Sequence, residues 1–345
     1  MTDYSGTIDA LGLREWCDGG VEAGGPMTME QLLNATNGTA TDDKGFLSTP
    51  FPSLDVLHNA CGAIPRTRDM TAGIEDLFLA VKAPLKAVLD PITQPLSWAL
   101  DGALAGILAL PWMVTIPLIM LLVFYATRSL KTTFMVFGGL LVLSLIDHYT
   151  YAMQTLAIIM VCTVISVLFG IPIGIAMSRS DRLQRVSLPI LDLLQTLPTF
   201  VYLIPLIFLF SVTEAKLYGI AIILYAIVPV IRLTDLGIRL VDKDVLEAVD
   251  SFGMSSRQRL MGVEIPLAMP NIMAGVNQTI MMSLAMVVIA SLVSAPGLGT
   301  LVLRGINKLE LGVGLVAGLG IVILAILLDR VTKTAMARVN RSMES

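Results

Sequence analysis

The sequence predicts an all-α integral membrane protein of about seven transmembrane helices behind a polar amino-terminal tail. Of its 345 residues 55% are hydrophobic and only 14% charged, against about 25% charged for an ordinary soluble domain. The apolar residues gather in repeated runs that approach the roughly 18–20 residues needed to cross a bilayer. Lys and Arg fall on one set of connections between those runs, which is the asymmetry of a multi-pass membrane protein.

Residues 1–73 form the tail. They are rich in Gly, Thr, Asp and Pro, and acidic residues outnumber basic ones. The tail has no basic start, apolar core and small-residue cleavage site in series, so no removable signal peptide is expected. The stretches 19–26 and 34–44 read as flexible. Cys17 and Cys61 share this tail; a disulfide is chemically allowed in an oxidising compartment, but spacing does not fix the pairing. From 74 to 101, Ile74, Leu77, Phe78, Val81 and Leu85 recur near helical spacing, with Pro84, Pro91 and Pro95 as interruptions. That pattern predicts a broken amphipathic segment in the outer membrane interface, with Trp98 and Trp112 at headgroup level.

The apolar runs follow in order: Leu104–Thr127, Thr132–Ile146, Met153–Met177, Leu188–Val212, Tyr218–Ile231, Ile272–Val293 and Val313–Leu328. The first two occupy 102–147, the rest form a core over 148–333, and 334–345 is a tail. With the amino terminus outside, cytoplasmic segments receive Arg128 and Lys131, then Arg179, Arg182 and Arg185. They also receive the basic residues of 232–259 and, last, Arg330, Lys333, Arg338 and Arg341. Outer loops of the core receive only Lys216, Arg304 and Lys308. The positive-inside bias places the carboxyl terminus and the loop 235–270 in the cytoplasm.

That loop is the most specific feature of the chain. Asp244 with Glu247 three residues later reads as a capping-box start, and Gly253 as the left-handed residue that ends a short helix. Ser255 with Gln258 repeats the start signal, and Pro266 and Pro270 are expected to close the second helix. A compact helical knob in the loop of a membrane protein is built to be presented to a partner.

The chain has no engine of its own. No Gly-x-x-x-x-Gly-Lys-[Ser/Thr] loop occurs, nor any Gly-Lys pair, so the usual phosphate cradle is missing. No zinc-protease motif or serine nucleophile elbow appears either. His58 and His148 stand alone, so no catalytic or metal-ligating residue is assigned, and nothing suggests nucleic-acid binding.

The loop resembles the coupling motif of ABC importer permeases, Glu-Ala-Ala, three residues, Gly, nine residues, Ile-x-Leu-Pro. Glu247 and Ala248 match, Val249 stands at the third position, Gly253 keeps the spacing, and Val263-Glu264-Ile265-Pro266 replaces the closing element. The run Gln195-Thr196-Leu197-Pro198-Thr199-Phe200-Val201-Tyr202 and the stretch 265–291 resemble the glycine betaine/proline-type permeases, and the likeness extends over about 153–330. The resemblance implies a type I ABC permease fold. It implies docking of a separate ATP-binding subunit, which holds ATP and Mg, through Glu247, Ala248, Gly253, Ile265 and Pro266. It also implies a second copy of the chain in the bilayer and a periplasmic substrate-binding protein. The chain ends soon after the last run, which leaves that receptor as a separate protein and makes a bacterial inner membrane the expected location.

Phe200 and Tyr202, between Pro198 and Pro205, and Asn277 and Gln278 are the candidates for the translocation path. An aromatic face attracts a quaternary ammonium by about 0.5–2 kcal/mol, and side-chain amides in a membrane helix either tie helices together or line a path. Helix packing is the simpler account of each residue singly. The expected cargo is a glycine betaine- or proline betaine-like osmolyte or related methylated amine such as choline, carnitine or trimethylamine N-oxide. A stand-alone secondary transporter or osmotic channel is the alternative; it calls for charges at mid-membrane, where this sequence has almost none. An osmosensor signalling through the acidic tail is a weaker third reading.

Overall fold

The computed structural model describes Tyr4, residues 11–13, 16–17 and 51–344; the stretches expected to be flexible at 19–26 and 34–44 lie outside them. The chain divides into two compact units, residues 1–85 and 86–345, and no strand occurs among the described residues. In the first unit α1 (Leu54–Ala60) starts at Ser53, whose hydroxyl accepts the Val56 N–H. Cys17 and Cys61 are buried and joined as a disulfide, so the pairing that spacing left open is made.

The helix α2 (Thr67–Ala109) runs for 43 residues. Pro84, Pro91 and Pro95 do not interrupt it. A proline deletes one hydrogen bond and crowds the preceding turn, which kinks rather than ends a helix whose other turns are held. Leu96 and Leu100 supply part of that hold by joining the same core cluster as Leu217 and Ala221. A bend of 116° separates α2 from α3 (Trp112–Thr127). The single span expected over Leu104–Thr127 is therefore two arms. Pro111 caps α3, and a proline disfavours helical geometry in the residue before it, here Leu110.

Ser129 caps α4 (Leu130–Leu145) by accepting the Thr132 N–H at 3.4 Å, and α5 (Tyr149–Arg179) follows. The run Leu188–Val212 is not one span. It divides into α6 (Asp181–Thr196), a turn containing Pro198, and α7 (Leu203–Leu209). Beyond lie α8 (Ala215–Arg239), α9 (Lys243–Ser251), α10 (Ser256–Arg259), a π-turn (Leu260–Glu264) and α11 (Ile265–Ala290). The last two are α12 (Leu298–Asn307) and α13 (Leu311–Glu344). Among the described residues, four helical stretches are long and apolar enough to cross a membrane: Tyr149–Arg179, Ala215–Arg239, Ser256–Val293 and Leu311–Arg338. Counting α2 and α3 as one bent span makes five.

The spans α5, α8 and α11 hold the second unit together. Gly174 of α5 lies so close to α8 that a Cβ there would stand 2.6 Å from Thr234 Cβ and 2.7 Å from the Ile231 carbonyl oxygen. Only hydrogen fits, and the two backbones touch. Thr163 of α5 donates to Ser283 of α11 at 3.3 Å in the buried interior, a cross-helix bond worth about 0.6–2 kcal/mol in a membrane. Thr155 accepts the Leu298 N–H at 2.9 Å and fixes the start of α12 against α5. This packing places the ends of α5, α8 and α11 side by side beneath the knob.

Candidate functional site: the knob at residues 242–266

The knob begins earlier than its sequence signal suggests. Asp242 is the N-cap of α9, and its carboxylate accepts the Asp244 N–H at 3.0 Å. Glu247 consequently stands five residues past the cap, two too many for a capping box with it. Glu247 and Ala248 are exposed, while Val249, in the third motif position, is buried and anchors the helix. Gly253 ends the unit at φ +74°, with open space around the position of a Cβ. Glycine is required there by backbone conformation and not by crowding.

The second start signal forms as expected. Ser255 N–H donates to Gln258 Oε1 at 2.9 Å and Ser255 Oγ accepts the Gln258 N–H at 3.4 Å, a reciprocal capping box. Pro266 and Pro270, however, do not close the helix. It continues through the π-turn into α11, with Pro266 in its first turn and Pro270 inside it. A π-turn widens the spiral by one residue, and this relieves the carbonyls that Pro266 would crowd and cannot bond. Ile265 and Pro266 are thereby half-buried at the root of the knob, whereas Glu247, Ala248 and Gly253 sit at its exposed end. The exposed end also shows apolar side chains: Phe252 is 85% exposed, and Val245 and Met254 are exposed beside it.

Ion pairs stiffen the root. Arg259 Nη1 donates to both carboxylate oxygens of Asp250, at 3.0 and 2.9 Å, and so ties α10 to α9. Its Nε donates to Glu264 Oε1 at 2.9 Å, and Arg179 Nη2 at the end of α5 donates to Glu264 Oε2 at 2.7 Å. Glu264 is 3% exposed. A buried carboxylate requires partners; removing one from such a pair costs about 3–5 kcal/mol. Next to this, Asp235 of α8 is buried and accepts from Arg239 Nε at 3.0 Å and Gln184 Nε2 at 2.7 Å. Arg239 reaches onward to Asp181 at 2.8 Å and the Met177 carbonyl oxygen at 2.9 Å. The ends of α5, α8 and α11 thus form one charged junction.

Sequence reasoning missed Glu264, which stood at the variable position of the motif, together with Arg179, Arg259 and Asp250 as its network. One signal was present: an acidic residue between Val263 and Ile265, with Arg259 five residues before it.

The four path candidates do not converge on one point. Phe200 is exposed in the turn after α6, and Tyr202 donates to Met286 Sδ of α11 at 3.7 Å. Asn277 Nδ2 donates to Asp329 Oδ1 of α13 at 3.4 Å, and Gln278 is exposed on another face of α11. Nine residues separate Asn277 from Met286, about 14 Å along a helix. Asp192 and Asp329 pair with Arg232 and with Lys333. Among the described residues no three His, Cys, Asp or Glu side chains gather to hold a metal ion.

Comparison with known proteins gives the family. Residues 166–345 match the family described as "Binding-protein-dependent transport system inner membrane component". The glycine betaine/proline betaine transport system permease protein ProW of Escherichia coli is 48% identical over 205 residues, 59% of this chain and 57% of that protein. The chain therefore matches little more than half the length of ProW. The glycine betaine transport system permease protein OpuAB of Bacillus subtilis is 45% identical over 195 residues, 56% of this chain and 69% of that protein. The glycine betaine/carnitine transport permease protein GbuB of Listeria monocytogenes is 39% identical over 225 residues, 65% of this chain and 79% of that protein. The matched region contains the knob and the three packed spans' junction, and the chain belongs to the family of binding-protein-dependent transport system inner membrane components.

Proposed function

We propose that this chain is the permease subunit of an ATP-driven importer of betaine-like osmolytes or related methylated amines. Two copies form the pathway, a separate ATP-binding subunit holds ATP and Mg and docks on each knob, and a substrate-binding protein delivers cargo from outside. The observation that carries this reading is the knob itself: a rigid, capped and ion-paired pair of short helices with Phe252, Val245 and Met254 exposed at its end. Apolar side chains fixed on an otherwise polar projection are a docking surface when they have a partner to cover them. Relatives named as permeases of glycine betaine and carnitine systems support the cargo class.

The same reading places the amino terminus and first unit in the periplasm and the carboxyl terminus and knob in the cytoplasm. The Cys17–Cys61 disulfide supports that side for the first unit, since such bonds persist in oxidising compartments. The buried charges Glu264, Asp235 and Lys216 all lie near helix ends and are all ion-paired. That favours an externally powered permease over a secondary transporter, which couples through ionisable groups within the membrane. Co-purification tests the reading. The tagged chain, solubilised from the membranes of cells in which it is naturally made, should bring down an ATPase, and Phe252→Asp should release it. Retention of the ATPase by a stably inserted Phe252→Asp chain would place the docking surface elsewhere.

A further inference from the structure

Resting on the docking reading above, we propose that Glu264, clamped between Arg179 and Arg259, is the joint through which movement of the knob is passed to the span α5. It is a positioning residue for transport and takes no part in docking. The knob is covalently continuous with α8 on one side and α11 on the other, through Leu240–Asp242 and the π-turn. It has no such continuity with α5, whose last residue, Arg179, is 85 positions away from Glu264. The Arg179–Glu264 pair at 2.7 Å is a direct polar bond between the knob's root and that third span.

The path is stiff at every step. Asp250 at the end of α9 is held in a two-oxygen grip by Arg259, which also holds Glu264, which in turn holds Arg179. Arg259 uses Nη1 for Asp250 and Nε for Glu264, so one planar guanidinium bridges the two carboxylates by charge-assisted bonds, which are stronger than neutral ones. The π-turn is what brings Glu264 into this position: one extra residue in the turn carries its side chain inward, to 3% exposure, while Met261 and Gly262 of the same turn remain exposed. π-turns inside helices recur at functional sites. Beyond Arg179, α5 meets α8 in backbone contact at Gly174. A displacement delivered to Arg179 therefore has little slack to be absorbed in before it reaches the packed spans.

The test uses the whole complex in liposomes, this chain with its ATPase and binding protein, and measures glycine betaine uptake and ATP hydrolysis together. Glu264→Gln, Arg179→Gln and the double variant are each expected to retain the ATPase at the parent's stoichiometry. Uptake per ATP hydrolysed should fall by about tenfold, within the range by which residues of a coupling network act. The double variant should be no worse than Glu264→Gln alone, because both substitutions break the same Arg179–Glu264 link, and Arg179→Lys should recover part of the ratio. A purely structural role would lower the amount of complex and leave the ratio unchanged. A ratio within twofold of the parent, with ATPase bound, overturns the joint and leaves docking intact. Should Glu264→Gln fail to accumulate, Arg179→Gln decides alone, since Arg179 is one-third exposed and leaves Glu264 its Arg259 partner. A parent chain that binds no ATPase at all refutes docking and the joint with it.

Discussion

Lys216, the second residue of α8, places its Nζ 2.8 Å from the carboxylate of Asp90, 126 positions earlier in α2. Only 5% of the Lys216 side chain is exposed. Glu214 lies 2.8 Å away on its other side, Gln94 accepts at 3.3 Å, and the ring of Phe210 lies 5.3 Å below the ammonium. Two carboxylates face this buried ammonium and offset the water it has lost. The pair is thus a cross-brace that fastens the proline-rich part of α2 to the packed spans.

Breaking that brace should be costly in an unequal way. Asp90→Asn leaves Glu214 in place and should destabilise modestly. Asp90→Asn with Glu214→Gln leaves a buried ammonium uncompensated, for which about 3–5 kcal/mol is expected. Thermal unfolding in detergent should show a small loss for the single variant and a much larger one for the double. Equal stability of parent and double variant would mean the brace bears no weight.

Hydropathy revealed the long straight spans because a run such as 153–177 is apolar on every side and needs no partner to be recognised. It could not show direction. Leu104–Thr127 and Leu188–Val212 have the composition of spans, yet Pro111 and Pro198 turn the chain within them. Conversely Pro84, Pro91 and Pro95 signalled breaks that do not occur, because a proline within a helix removes one hydrogen bond and can kink the helix without ending it. The knob's capping box at Ser255 and its left-handed Gly253 were legible because both are local. The Asp242 cap was not, since Asp242 and Asp244 are equally good caps and only the chain's path chooses between them. Glu264 left only the local hint of Arg259 five residues before it; its other partner Arg179 is distant in sequence, and pairing across that distance leaves no periodic trace.

Gly253 separates conformation from space. With open surroundings and φ +74°, Gly253→Ala should strain the turn by about 1–2 kcal/mol, and Gly253→Val by more, because a branched side chain tolerates positive φ least. Both variants should insert normally, since no packing is disturbed. Uptake by the reconstituted complex should fall in the order Gly, Ala, Val. Parent-level uptake by Gly253→Val would show that the turn's geometry is irrelevant to coupling.

Topology is open to labelling by an impermeant thiol reagent in intact cells. Met70 on α2 and Ala337 on α13 are exposed positions suited to single cysteine substitution. Among the described residues the one free thiol, Cys162, is buried and should remain silent. Met70→Cys should react from outside, and Ala337→Cys only after the membrane is opened. The reverse pattern would invert the chain and place the knob on the wrong side for an ATPase.

The energy source is the most decisive question, because it separates an ABC permease from every self-powered alternative. A secondary transporter needs ionisable groups that bind and release a coupling ion as the pathway alternates. Here the buried charges are committed elsewhere: Glu264 to two arginines, Asp235 to Arg239 and Gln184, Lys216 to Asp90 and Glu214. Freeing any of them for an ion would dismantle a junction between helices. Asp329 faces Asn277 but is paired with Lys333 as well. Liposomes containing this chain alone should therefore show no concentrative uptake of glycine betaine under an imposed proton or sodium gradient. Adding the ATPase and binding protein should make uptake depend on ATP inside the compartment that the knob faces, and remain insensitive to collapse of the gradient. Asp329→Asn should leave ATP-driven uptake within about threefold of the parent, since its partner Lys333, one turn away on the same helix, is more than half exposed and such a pair contributes little. Gradient-driven accumulation by the chain alone, abolished by Asp329→Asn, would make Asp329 an ion-coupling carboxylate and the protein a secondary transporter.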